Sequence, residues 1–281
     1  MNRTRVATAA AAAVTTLALV AAGPASAAAG RAARPDQATA HPHHARPTIV
    51  LVHGAWADGS SWDAVTRRLR HEGYDVRIAP DPLRGVATDT AALKAYLSTV
   101  KGPVVLVGHS YGGIVISNAA TGNKNVKSLV YVDAYIPDTG ETLAELTGAE
   151  DGSALNVPDP GTVFDFVPIP DSGGDVDLYV KPELFPKIFA GGVDAHEAAA
   201  LAAAQRPLAA SALEEPSGAP AWKSIPSWAL IGTADRVLPP AEQSKLAERA
   251  HARTVKTDAP HLSMVPEPDA VTELITDAAR H

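Results

Sequence analysis

Val104-Val105-Leu106-Val107-Gly108-His109-Ser110-Tyr111-Gly112-Gly113 is the stretch on which the reading of this chain turns. Pro103 to Val107 is a continuous apolar run of the kind that forms a buried strand. Ser110 to Ala120 has the composition of a helix. Between them lies Gly108-x-Ser110-x-Gly112, the G-x-S-x-G pattern in the strand–turn–helix context that a nucleophile elbow requires. Such a serine sits on a tight, strained turn with its hydroxyl clear of the sheet. Gly108 and Gly112 carry no Cβ, so strand and helix can close on each other there. The start of the helix also favours negative charge developing nearby.

Working outward, the chain alternates between strand and helix patterns. Thr48 to His53 is a β-branched apolar run that stops at Gly54. Ser60 or Ser61 can cap a helix carrying Val65 and Leu69 on one face. Tyr74 to Ala79 reads as a strand, and Thr88 or Asp89 can cap a helix bearing Leu93, Leu97 and Val100. Lys127 to Val132 is the strand after the elbow helix. This rhythm predicts an α/β fold with a mainly parallel sheet and helices on both faces.

The rhythm then stops for about 94 residues, Asp133 to Ser227, against about 30 for an ordinary strand–helix–strand unit. The stretch is rich in Pro and Gly and holds a helical run, Val193 to Gln205. All four phenylalanines of the protein, Phe164, Phe166, Phe185 and Phe189, fall within it. It is expected to be an inserted helical cap over the sheet edge, about residues 136–220, with at least one Phe facing a ligand. Afterwards the alternation resumes: Trp228 to Ile231 (strand), Pro240 to Ala250 (helix), Thr254 to Lys256 (strand), Pro268 to Ala279 (helix).

A serine hydroxyl is a weak nucleophile at neutral pH and needs a base. In the order that suits this topology the acid and then the histidine follow the serine, each after a strand. His261, in Asp258-Ala259-Pro260-His261, is the natural base. Asp235, in Gly232-Thr233-Ala234-Asp235, is the candidate acid, with Asp133 as its rival. The oxyanion donors are expected to be the N–H groups of Tyr111 and Ala55, the latter in His53-Gly54-Ala55-Trp56. His53 is expected to brace that loop. Trp56 and Trp62 flank it, either walling the pocket or packing beneath it.

At the N-terminal end, Arg3 and Arg5, an apolar run from Val6 to Ala22, and Ala25-Ser26-Ala27 read as a secretory leader, residues 1–27, cleaved after Ala27. Residues 28–47 read as a flexible linker whose His41, His43 and His44 are solvated. The hydrolytic domain is then residues 48–281. No later segment is apolar enough to span a bilayer, so no membrane association is expected once the leader is removed. Net charge is -7, which disfavours nucleic acid as a partner. With no cysteine in 281 residues, disulfides, thiolate metal sites and a cysteine nucleophile are excluded. No metal or other cofactor is expected, and nothing in the sequence points to an oligomeric state.

These residues resemble the α/β-hydrolase superfamily, most closely the branch of plant methylesterases, hydroxynitrile lyases and related bacterial esterases. The matching stretches are Val50 to Trp62, the elbow, Tyr135-Ile136-Pro137-Asp138-Thr139-Gly140-Glu141-Thr142, and Ala221 to Trp228 running into Gly232-Thr233-Ala234-Asp235. The resemblance covers Thr48 to the C-terminus. It implies the α/β-hydrolase fold, a cofactor-free Ser110–His261–Asp235 triad, a small helical cap, and Asp235 over Asp133 as the acid. The lyases carry a lysine after the catalytic histidine and a threonine in the first loop. Here those places hold Leu262 and Gly54, which favours ester hydrolysis over lyase chemistry. Haloalkane dehalogenases use an aspartate at the elbow, which Ser110 excludes. The expectation is a secreted carboxylesterase of small apolar or aromatic esters, with a pocket formed by Trp56, Phe164, Phe166, Phe185, Phe189 and Leu262. A C–C lyase or a non-catalytic small-ligand binding protein on the same scaffold are the alternatives.

Overall fold

Short apolar runs separated by amphipathic segments pair side by side in this chain, because each run can bury both faces only inside a sheet covered by helices. The structure is a computed structural model describing residues 46–281. The expected leader over 1–27 and, up to residue 45, the expected linker with His41, His43 and His44 lie outside the described residues.

The first half contains β1 (Thr48–Val52), α1 (Asp63–His71), β2 (Val76–Ala79), α2 (Val86–Ser98), β3 (Val104–His109), α3 (Gly112–Ala119) and β4 (Val126–Val132). The long interval that follows holds α4 (Leu143–Gly148), β5 (Phe164–Pro168), β6 (Val176–Val180), α5 (Phe185–Ile188), α6 (Ala195–Ala204) and β7 (Leu208–Ala209). The chain then returns through β8 (Ser227–Gly232), α7 (Pro240–Arg249), β9 (Arg253–Thr257) and α8 (Pro268–Arg280).

Six strands form one sheet in the order β2-β1-β3-β4-β8-β9, every pair parallel. Helix α1 packs on α8 and α2 on α3, giving a helical layer on each side. All residues of β1, β3 and β8 are buried, as their continuous apolar sequences require. Trp62 and Trp228 are among the largest fully buried side chains, each contributing about 1.5–3 kcal/mol or more by leaving water. The edge strand β9 is instead mostly exposed and carries Arg253 and Lys256, charges that discourage edge-to-edge pairing.

Two caps differ from the sequence expectation. Asp58, not Ser60 or Ser61, caps the 3-10 turn Gly59–Trp62 that leads into α1, accepting from the Ser60 N–H. Asp89 lies inside the first turn of α2, which starts after Gly85. Its carboxylate reaches back to the N–H groups of Arg84 and Gly85. A carboxylate within the first turn thus closes back on the backbone that leads into the helix, as the acidic residue of a capping box does.

The insertion is not purely helical. Its strands β5, β6 and β7 form a separate antiparallel sheet. The alternation Val176-Asp177-Leu178-Tyr179-Val180 is the period-2 signal for this sheet, masked by the surrounding Pro and Gly. Helix α4 opens with a reciprocal capping box, Thr142 with Glu145, and Asp194 caps α6.

Candidate active site

The chain moves from β1 to β2 on one side, then crosses to β3 on the other, so the crevice between the carboxyl ends of β1 and β3 is a topological switch point. Register places Val52 opposite Gly108 and His109 opposite Val132, and Val132 pairs with Leu230. The loops after β1, β3, β4, β8 and β9 therefore converge on one edge. They bring Ala55, Ser110, Asp133, Asp235 and His261 into one neighbourhood.

Ser110 has φ 51°, the left-handed region, which costs a non-glycine residue about 1–3 kcal/mol. Its neighbours enforce that turn. A Cβ on Gly108 would lie 2.6 Å from the Gly112 oxygen, and one on Gly112 would lie 2.9 Å from the His53 oxygen. Neither position can hold a larger residue without parting strand from helix.

His261 Nε2 is 2.8 Å from Ser110 Oγ, and His261 Nδ1 is 2.7 Å from Asp235 Oδ2. Because Asp235 accepts, the imidazole proton sits on Nδ1 and the Nε2 lone pair faces the serine hydroxyl. Asp235 is held by further donors: the N–H groups of Val237 (2.7 Å) and Leu238 (3.0 Å) on Oδ1, and Gln243 Nε2 (2.7 Å) on Oδ2. Burial pushes the His261 imidazole down to about 3, so it is neutral and able to take a proton. Burial also pushes Asp235 up, against its three protein donors.

Asp133 makes no hydrogen bond to His261. Its Oδ1 accepts from the Gly232 N–H at 2.7 Å and its Oδ2 from the Ser263 N–H at 3.2 Å. It ties together the strand before Asp235 and the loop after His261, a bracing role. His109 braces the same loop through His261 O at 3.0 Å, and burial pushes its own imidazole well down. Neither contact was foreseen, since both join residues more than 95 positions apart in sequence.

A cavity of about 150 Å³ opens on Ser110. Ala55, Trp56 and Tyr111 form its floor, Phe164, Leu208 and Leu213 one part of its wall, and Tyr135, Leu143, Thr147 and Leu155 another. Asn156 stands exposed at its rim. Within its lining Tyr135 Oη pairs with Thr147 Oγ1 at 2.8 Å. Among the described residues the N–H groups of Ala55 and Tyr111 have no protein acceptor, and both residues border the same space. Among the described residues no cluster of three or more His, Asp or Glu side chains is arranged to hold a metal.

Of the expected pocket residues, Trp56 and Phe164 line the cavity, stacked with centroids 5.3 Å apart. Phe166 does not: it is 49% exposed, because only the first residue of edge strand β5 is covered. Phe185 and Phe189 stack on each other at 4.9 Å and are buried behind the cavity wall. Phe189 stands edge-on to His261 at 5.3 Å, shielding the base from water without entering the cavity. Leu262 is also buried outside it, its N–H donating to Phe189 O at 3.1 Å. Trp62 packs beneath, edge-on to His109. The aliphatic wall from α4 and the 3-10 turn Ala210–Leu213 was missed. Its residues are scattered over 70 positions of sequence with no shared pattern.

A family profile described as "Alpha/beta hydrolase family" matches residues 49–274, and the chain belongs to that family. A carbendazim hydrolyzing esterase of Nocardioides sp. is 35% identical over 113 residues, 35% of this chain and 46% of that protein. The match thus spans about half the length of that relative. An extracellular alpha/beta-hydrolase from a Paenibacillus species superposes with TM-score 0.67 at 23% identity, covering 84% of this chain and all of the other. Polyneuridine aldehyde esterase superposes with TM-score 0.70 at 17% identity, covering 83% and 98%. At those identities the likeness is one of fold.

Proposed function

We propose that this protein is a secreted serine esterase that cleaves small apolar or aromatic carboxylic esters through an acyl-enzyme. The observation that carries the proposal is the chain of hydrogen bonds from Asp235 through His261 to Ser110, ending at the floor of an apolar cavity. Ser110 Oγ attacks the ester carbonyl while His261 Nε2 takes its proton. Asp235 holds the tautomer and stabilises the imidazolium. The oxygen of the tetrahedral intermediate lies against the N–H groups of Ala55 and Tyr111, each such donor contributing about 3 kcal/mol. His261 then protonates the departing alcohol. Water, activated by the same histidine, releases the acid.

The cavity supports a size limit. About 150 Å³ of apolar space accommodates a benzene-sized group. One side of the ester is therefore a single aromatic ring or a short aliphatic chain, and the other extends past Asn156 to solvent. The Nocardioides relative is itself an esterase, which agrees with this chemistry. Export is supported by Arg3, Arg5, the apolar run to Ala22 and Ala25-Ser26-Ala27. The Paenibacillus neighbour is likewise described as extracellular.

The test is a panel of p-nitrophenyl esters graded in acyl length, run on wild type and Ser110→Ala. Turnover that peaks at short or single-ring acyl groups and vanishes in Ser110→Ala is expected. Full turnover by Ser110→Ala would refute the mechanism. An amino terminus beginning at Ala28 in protein recovered from the culture medium is the expected mark of export.

A further inference from the structure

Behind the two N–H donors lies a second buried polar cluster that the triad does not use. Asp81 is 2% exposed and Asp89 is 0% exposed. Tyr111 Oη donates to Asp89 Oδ2 at 2.6 Å, linking the residue directly after the nucleophile to α2. Asp89 also accepts the Arg84 N–H at 3.1 Å and the Gly85 N–H at 3.4 Å. Asp81 Oδ1 accepts from the Leu83 N–H, while its Oδ2 meets no donor. Burial and the adjacent Asp89 charge push Asp81 well up.

The other end of the cluster reaches the β1 loop. The Asp81 N–H points at His53 Nε2 at 3.4 Å, which leaves the His53 proton on Nδ1. That proton is donated to Gly54 O at 2.9 Å. Gly54 C=O and Ala55 N–H are opposite ends of one trans peptide, so holding the oxygen aims the N–H the other way. Tyr111 is restrained in a parallel manner. It follows Ser110, whose left-handed backbone relaxes unless its surroundings hold it.

We infer that Asp89 is a positioning residue for the oxyanion hole, acting through the Tyr111 hydroxyl. This rests on the esterase reading above. Asp89 touches no substrate. It holds Tyr111 so that the N–H is in place before charge develops, and the benefit falls on the transition state.

The experiment compares Tyr111→Phe and Asp89→Asn with wild type and Ser110→Ala. It reads kcat and KM on a p-nitrophenyl ester, and Ki for a trifluoromethyl ketone, whose adduct with Ser110 carries an oxyanion. Both tether variants are expected to lose kcat by about tenfold with KM within about twofold. Ketone affinity falls by the same factor as kcat, and Tyr111→Phe keeps its Tm within a few degrees. A merely structural role would lower Tm and leave the kcat and ketone affinity of the folded fraction alone, which overturns the inference. Unchanged kcat and Ki in both variants also overturns it, while Ser110→Ala inactivity keeps the esterase reading. Activity retained in Ser110→Ala sinks both.

Discussion

The parallel sheet and the insertion between β4 and β8 obey different rules. In β3 all six residues are buried, and what the strand carries is fixed by register against two neighbours. In β5 only Phe164 is buried and the remaining four residues face solvent. The sheet therefore holds reacting groups at distances that leave little slack. The insertion supplies walls, and a wall can change shape without moving the triad. Damage at the sheet edge is expected to strike kcat, and damage in the insertion to strike KM and substrate choice.

That contrast can be broken in several places. Asp235→Asn is the severest test at the sheet. An amide keeps the shape but presents a donor to His261 Nδ1, selects the wrong tautomer and costs about 10⁴ in kcat. Steady-state kinetics with thermal unfolding alongside would reveal any loss due to misfolding instead.

The pH profile comes next. A protonated His261 cannot take the serine proton, so activity falls as pH drops through the pKa of the free enzyme's base. Burial moves that pKa down, and the acid limb of kcat/KM is expected below the ordinary imidazole value of about 6.5. A limb at or above that value would mean the site is wetter than its 0% exposure of His261 implies.

Phe164→Ala removes the ring stacked on Trp56. It should raise KM for aromatic esters by about tenfold, with kcat for a short acetyl ester nearly unchanged. A parallel fall in kcat for all esters would erase the division of labour between sheet and insertion. Phe166→Ser is the mildest change. The ring is 49% exposed, so kinetics should be unaltered and stability within about 0.5 kcal/mol by urea unfolding.

How much of this was legible follows from where the information lies. Ser110 announces itself because the serine, its flanking glycines, strand and helix occupy one contiguous stretch. Asp235 and His261 could be found because each follows its own apolar strand and the order of partners along the chain is constrained. The choice between Asp235 and Asp133 was harder, since both follow strands. Geometry separates them: Asp133 spends its two oxygens on the backbone N–H groups of Gly232 and Ser263. The aromatic residues of the insertion misled for a related reason. Four phenylalanines in one segment suggested four pocket walls, yet one faces solvent and two pack on each other.

The amino-acid sequence by itself determined the α/β alternation and the strand–turn–helix stretch around Ser110, and it singled out Asp235 and His261, which the structure brings to Ser110. Each is written in local periodicity or in a motif no longer than a strand and a turn. Only the tertiary structure decided which side chains enclose the cavity, that the insertion contains its own antiparallel sheet, and that Tyr111 is tethered to Asp89. The cavity draws on residues from Ala55 to Leu213, and the Tyr111–Asp89 bond spans 22 positions. Their packing depends on volumes and angles summed over the whole core, to which no short stretch of chain has access.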